Sequence, residues 1–220
     1  LADINSDLIN LYNIVKLRTA DFIRDAQLLF TPEGNTEACY YQRRTEFNLS
    51  TDAYQRALLF LYLNRHCYNG LCRYNLRGEF NVPFGRYRKP YFPEAELLWF
   101  AERAQKATFV CESYDVTLTS AGKGSVVYCD PPYAPLSATA NFTAYHTNSF
   151  SLREQENLAM LAAQLAASEH RIPVLISNHD TALTRLWYQD AVLHVVKARR
   201  SISRSITGRT KVDELLALYR

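Results

Sequence analysis

Val126-Val127-Tyr128-Cys129-Asp130-Pro131-Pro132-Tyr133 is the stretch on which the reading of this chain turns. Its first half is apolar, β-branched and aromatic, as in a short strand buried on both faces, and its double proline cannot continue a β ladder. The strand therefore stops at a carboxylate and a tyrosine ring. In open α/β sheets ligands bind beyond the carboxyl ends of parallel strands, so Asp130 and Tyr133 stand where chemistry is expected.

These residue types suit a planar amine. An exocyclic amino group is a weak nucleophile because its lone pair is conjugated into the ring, and it attacks better when acceptors hold both of its hydrogens. Asp130 supplies one acceptor and the carbonyl of Pro131 the other, since proline loses its donor but keeps its acceptor. Tyr133 offers a flat face for a base taken out of its stack. A plainer reading stands beside this one, in which Asp130 caps a turn and Tyr133 packs; four residues by themselves do not separate the two.

Context separates them. The run from Asp130-Pro-Pro-Tyr through Ala-Pro-Leu-Ser-Ala-Thr-Ala-Asn-Phe-Thr-Ala to Tyr145 resembles the Dam-type DNA adenine-N6 methyltransferases. So do Leu1 to Asp7, Asn64 to Pro93, Pro173 to Thr181 and Asp213 to Tyr219, and the resemblance covers nearly the whole chain. It implies an α/β fold with a mostly parallel, Rossmann-like methyltransferase sheet. Into that sheet's chain a helical and β-hairpin target-recognition insertion is set. It also implies S-adenosylmethionine as methyl donor, double-stranded DNA as partner, and N6 of the adenine in GATC as target, reached by base flipping. Asp130, Pro131, Pro132 and Tyr133 take the catalytic positions, and Asp3, Asp130 and Tyr114 the cofactor positions.

Composition is compatible with this. With 220 residues, 48% of them hydrophobic, the chain can bury a sizeable core as one domain with an insertion or as two small ones. It has no apolar run long enough for a membrane and no basic start followed by one. Five cysteines in no metal spacing read as reduced thiols of a cytoplasmic protein, and a monomer is the separate expectation for its assembly. The histidines show no metal spacing either, and His179 reads as structural. A net charge of +3 does not by itself announce a nucleic-acid binder, so the distribution of charge decides.

In chain order, Leu1 to Asn5 reads as the tail of a strand, followed by an amphipathic helix from Ser6. Asp3 at that strand end has two readings, an N-terminal cap or an acceptor for ribose hydroxyls; the resemblance favours the ribose. The family places a strand, a Gly-rich turn and a helix ahead of this point, and the expectation is that such a unit precedes Leu1 in the natural protein.

Residues 20–50 read as mixed helix with Tyr40, Tyr41, Arg43 and Arg44 close together, and Thr51 caps an apolar core helix. Between Arg65 and Lys89 six basic residues face the single acid Glu79, interleaved with Tyr68, Tyr74, Phe80, Phe84 and Tyr87. That mixture can meet phosphates, base edges and base faces. Gly78 to Gly85 reads as a hairpin flanked by glycines, with Pro83 on an edge. The resemblance gives Tyr68 and Asn69 the place vacated by the flipped base and gives base edges to Leu71, Arg73, Pro83 and Tyr87. It lays Arg44, Arg65 and Asn75 along the backbone, with Arg86 in the same basic stretch. Residues 20–92 then form the target-recognition domain, and 1–19 with 93–220 the catalytic domain.

Pro93 opens a helix to about Lys106. Thr108 to Cys111 reads as a strand, with Tyr114 past its end either stacking on the cofactor's adenine or simply packing. Ser151 and Glu154 form a capping box for a helix to about Ala167. A buried strand at 173–177, a helix at 181–188 and a strand at 191–197 complete a strand-helix alternation that argues for a mostly parallel sheet. Residues 199–211 read as a basic surface loop able to touch DNA. Rival functions are methylation of cytosine N4 or another planar amine, and a DNA-binding module without activity.

Overall fold

A computed structural model describes residues 1–135, 150–199 and 211–220, which fall into two compact units, residues 1–113 and the described part of 114–220.

The first unit is helical. Its helices are α1 (Ser6–Leu17), α2 (Thr19–Gln27), α3 (Glu37–Leu49), α4 (Ala53–His66) and α5 (Glu94–Ala104). Helix α4 is apolar nearly all round, so it is buried between neighbours. Leu59, Phe60, Tyr62 and Leu63 join one hydrophobic cluster with Tyr40, Phe47 and Phe80, while Ala57 and Leu61 join another with Val15, Phe22 and Leu97. Its N-cap is Asp52, whose carboxylate accepts from Gln55 N, and not Thr51. Pro93 likewise sits at the N-cap of α5, one position earlier than expected. Two short parallel strands, β1 (Ala2–Asp3) and β2 (Val110–Cys111), pair Asp3 with Cys111 at their carboxyl ends.

Residues 67–85 form a hairpin whose tip differs from expectation. Tyr74 bridges Phe80 and Cys67 bridges Phe84, so the chain reverses at residues 75–79, around Gly78. Asn75 Oδ1 accepts from the amides of Arg77 and Glu79, and Gly78 takes φ +75°, a conformation that costs glycine little. Gly85 closes the far end, where a Cβ would meet the Cys67 carbonyl at 2.6 Å.

The second unit holds α6 (Tyr114–Thr119), α7 (Leu152–Ala167), α8 (Ala182–Trp187) and a four-stranded sheet ordered β3 (Val127–Cys129), β4 (Val174–His179), β6 (Lys211–Tyr219), β5 (Val192–Arg199). Strands β3 and β4 are parallel, and β6 is antiparallel to both β4 and β5. Three strands thus share the direction that strand-helix alternation implies. The fourth returns along β5 and slots in beside β4. One face packs Val174, Ile176, Leu215 and Ala217 against Leu158 and Ala162 of α7.

Strand β3 is not buried on both faces. Among the described residues it pairs only with β4, and Tyr128 is 61% exposed. Ser151 caps α7 by accepting from Glu154 N, but the Glu154 carboxylate accepts from Tyr114 OH. Residues 136–149, which carry most of the Asp130-to-Tyr145 resemblance, and 200–210 of the basic loop lie outside the described residues.

Candidate active site and nucleic-acid surface

The double proline ends β3 as its chemistry requires, and Asp130, Pro131, Pro132 and Tyr133 turn off the sheet at the carboxyl end of a parallel pair. Prolines bring no amide donors, so this loop offers mainly acceptors, and neighbouring side chains fix them. Gln155 Nε2 of α7 donates to Pro132 O at 2.6 Å. Asn178 Oδ1 accepts from Ala134 N at 2.8 Å and from His179 N at 2.9 Å. Asn178 Nδ2 in turn donates to Gln155 Oε1 at 3.1 Å and to Tyr188 OH at 2.9 Å. The network is buried and neutral, with each member satisfied by another.

His179 closes the loop from the other side. Its Nδ1 lies 2.6 Å from Ala134 O, so that nitrogen carries the proton, because a carbonyl only accepts. Its ring meets Tyr133 edge to face at 4.9 Å. Asp130 is exposed, yet Ser177 Oγ is 2.8 Å from its Oδ1, and Tyr128 OH is 3.1 Å from Ser177 Oγ. Cys129, next to Asp130, has its thiol pushed up to about 11 by burial. It is a protonated thiol at neutral pH and not a nucleophile.

Of the cofactor candidates, Asp3 sits at the carboxyl end of β1 with one carboxylate oxygen accepting from Asn5 N at 2.7 Å. Asn5, not Asp3, is the N-cap of α1. Tyr114 opens α6, where its hydroxyl bonds Glu154 and its ring meets Phe150 edge-on at 5.3 Å.

In the first unit the structure assembles several expected residues around one end of the hairpin. Tyr68, 51% exposed, donates its amide to Pro83 O at 2.8 Å, and Asn69 donates its amide to Tyr87 OH at 2.9 Å. Asn69 has φ +53°, a left-handed conformation that asparagine tolerates better than most residues. Leu71 packs against the α3–α4 cluster, and the Asn75 carboxamide oxygen holds the hairpin tip.

The arginines show a pattern. Arg44 donates to Val82 O at 3.0 Å, Arg65 to Tyr91 O at 3.0 Å, and Arg73 to Asn81 Oδ1 at 2.8 Å and Asn81 O at 3.1 Å. All of these acceptors are neutral, so each guanidinium is aimed without having its charge cancelled. Arg86 instead pairs with Glu37 at 3.3 Å, and its backbone has φ +56°.

Beneath this surface lies an ion pair the sequence does not announce. Arg56 of α4 reaches Asp7 Oδ1 with Nε at 2.9 Å and Nη2 at 2.7 Å, while Tyr74 OH of the hairpin donates to Asp7 Oδ2 at 2.7 Å. Asp7 therefore ties the hairpin to two helices. Ser177, Asn178 and Gln155 also escaped the sequence reading. The one available signal was three polar residues directly after the apolar run 173–176; nothing local marks Gln155.

Comparison with known proteins accords with this. A family model described as D12 class N6 adenine-specific DNA methyltransferase matches residues 1–202. A DNA adenine methylase of Serratia marcescens is 74% identical over the whole chain and 81% of its own length. One of Escherichia coli K12 is 69% identical over the whole chain and 78% of its own length. A Vibrio cholerae DNA adenine methylase is 58% identical, again over the whole chain and 79% of its own. With a family model matched over most of its length and an acceptor-lined Asp-Pro-Pro-Tyr loop at a parallel strand end, the chain belongs to the D12-class N6 adenine-specific DNA methyltransferases.

Proposed function

We propose that this protein moves a methyl group from S-adenosylmethionine to N6 of the adenine in GATC within duplex DNA, after turning that adenine out of the helix. The observation that carries the reading is the Asp130-Pro131-Pro132-Tyr133 loop, whose acceptors stand at the carboxyl end of parallel β3 and β4. Asp130 and the Pro131 carbonyl take the two amine hydrogens, and Tyr133 provides the stacking face. The Pro132 carbonyl is committed to Gln155. When bound, S-adenosylmethionine supplies a methyl group on a positive sulfur, so the work left to the protein is orientation and exclusion of water.

For the cofactor, Asp3 fits a ribose. A carboxylate has two oxygens; one accepts from Asn5 N, and the other suits a hydroxyl at a parallel strand end. Residues 20–92 recognise the target: Tyr68 and Asn69 occupy the vacated position, Arg73 and Tyr87 read base edges with Leu71 and Pro83, and Arg44, Arg65 and Asn75 follow the backbone. The protein acts as a monomer in the cytoplasm.

The test is methylation of duplexes with and without GATC, followed by digestion with nucleases that read adenine methylation. Protection confined to GATC is expected. Asp130→Ala should lower the single-turnover rate by about a hundredfold to a thousandfold, as when one aimed hydrogen-bonding group is lost, with DNA affinity kept. Methyl groups found on cytosine, or an active Asp130→Ala, would overturn the assignment.

A further inference from the structure

Ser177, Asn178 and His179 are consecutive on β4, and side chains alternate across a strand, so Asn178 points to one face of the sheet while Ser177 and His179 point to the other. Each holds a different part of the Asp-Pro-Pro-Tyr loop. Asn178 takes the Ala134 amide and, through Gln155, the Pro132 carbonyl. His179 takes the Ala134 carbonyl and buttresses the Tyr133 ring. Ser177 takes the Asp130 carboxylate itself. The strand end thus grips the loop from both faces.

We infer that Ser177 is a positioning residue for methyl transfer, orienting the Asp130 carboxylate before substrate arrives. The inference rests on the reading of Asp130 given above. Asp130 is exposed and would otherwise turn freely about its side-chain bonds, whereas Ser177 is 2% exposed and carried by a paired strand. A hydroxyl has one proton to give. Two acceptors lie near it, Asp130 Oδ1 at 2.8 Å and Cys129 O at 3.5 Å, and the shorter, charged contact takes the proton.

Tyr128 OH, 3.1 Å from Ser177 Oγ, supplies a hydrogen to the serine oxygen and so leaves the serine's own proton directed at Asp130. With Oδ1 committed to Ser177, Oδ2 is the oxygen presented to an amine. Because catalysis of this kind depends on alignment, a loosened carboxylate should slow the methyl-transfer step and leave binding alone.

The experiment compares the full chain with Ser177→Ala and Ser177→Thr in single-turnover methylation of an adenine-containing duplex, over ranges of S-adenosylmethionine and DNA. Thermal midpoints are measured alongside. Ser177→Ala is expected to lower the saturated rate by about tenfold to a hundredfold while half-saturating concentrations stay within about twofold. Ser177→Thr, which keeps the hydroxyl, should recover most of the rate. An Ala variant as fast as the parent overturns the inference alone, as does a loss expressed in half-saturation, or equal losses in Ala and Thr at unchanged midpoints. A parent chain that does not methylate adenine overturns the reading of Asp130 and this inference with it.

Discussion

The helical unit and the sheet unit solve the problem of a buried polar group in opposite ways. In the first, Asp7 is an ionised carboxylate about nine-tenths hidden, answered by the Arg56 guanidinium and the Tyr74 hydroxyl. In the second, Gln155, Asn178, His179 and Tyr188 hold the Asp-Pro-Pro-Tyr loop through neutral donors and acceptors. The difference tracks the task. A hairpin must be anchored across long sequence separations, and a charge pair reaches far and resists loss of either partner; a loop that presents a carboxylate is better aligned by groups that add no competing charge.

The sharpest way to break the contrast is Arg56→Ala. It leaves Asp7 buried without its counter-ion and should cost about 3–5 kcal/mol in denaturant unfolding. A loss no larger than that of a surface arginine would mean Asp7 is solvated, and the contrast would fail.

Next in size is the acid sensitivity of the first unit. Burial among aromatic rings holds His66 down at about 4, well below the ordinary 6.5. Its Nδ1 bonds Tyr62 O, and Nε2 is buried without a partner among the described residues. Since the folded value is depressed, the unfolded chain takes up the proton first. The stability from a neutral His66 is therefore complete above pH 6.5 and is lost as pH falls from 6.5 toward 4. Roughly 2 kcal/mol should go between about pH 7.5 and about pH 5, and His66→Phe should flatten that slope. An unchanged slope in His66→Phe would assign the acid sensitivity elsewhere.

The arginines sharpen the comparison in binding. Arg73→Ala should lose about 1–3 kcal/mol of discrimination between GATC and single-substituted duplexes, whereas Arg44→Ala should weaken all duplexes alike and flatten the salt dependence. Competition binding at several salt concentrations separates them. Matching losses across every duplex would take Arg73 out of the base-reading set.

The smallest effect belongs to the neutral network. Tyr188→Phe removes a hydroxyl that accepts from Asn178 at 2.9 Å, a neutral contact expected to contribute about 1 kcal/mol to unfolding stability. A loss rivalling that of Arg56→Ala would show the sheet unit to be as dependent on its polar core as the helical unit.

The sequence by itself determined the local features. The apolar run and double proline located a strand end with an acid and a ring, Ser151 located the start of α7, and the aromatic and basic mixture after α4 located the hairpin surface. Each of these is a property of neighbours along the chain, where steric limits and hydrophobic period act directly. The Dam-type resemblance extended that reading to nearly the whole chain.

The tertiary structure alone decided the partners. The last strand joins the sheet between β4 and β5, because a chain returning from β5 pairs antiparallel with it and meets β4 with its other edge. Asp7 meets Arg56 across 49 residues and Tyr74 across 67, and Ser177 meets Asp130 across 47. Hydrogen bonds over such separations leave no periodic trace in the sequence. They exist because packing brings distant backbone segments together, and a polar group buried there is costly unless it finds a partner.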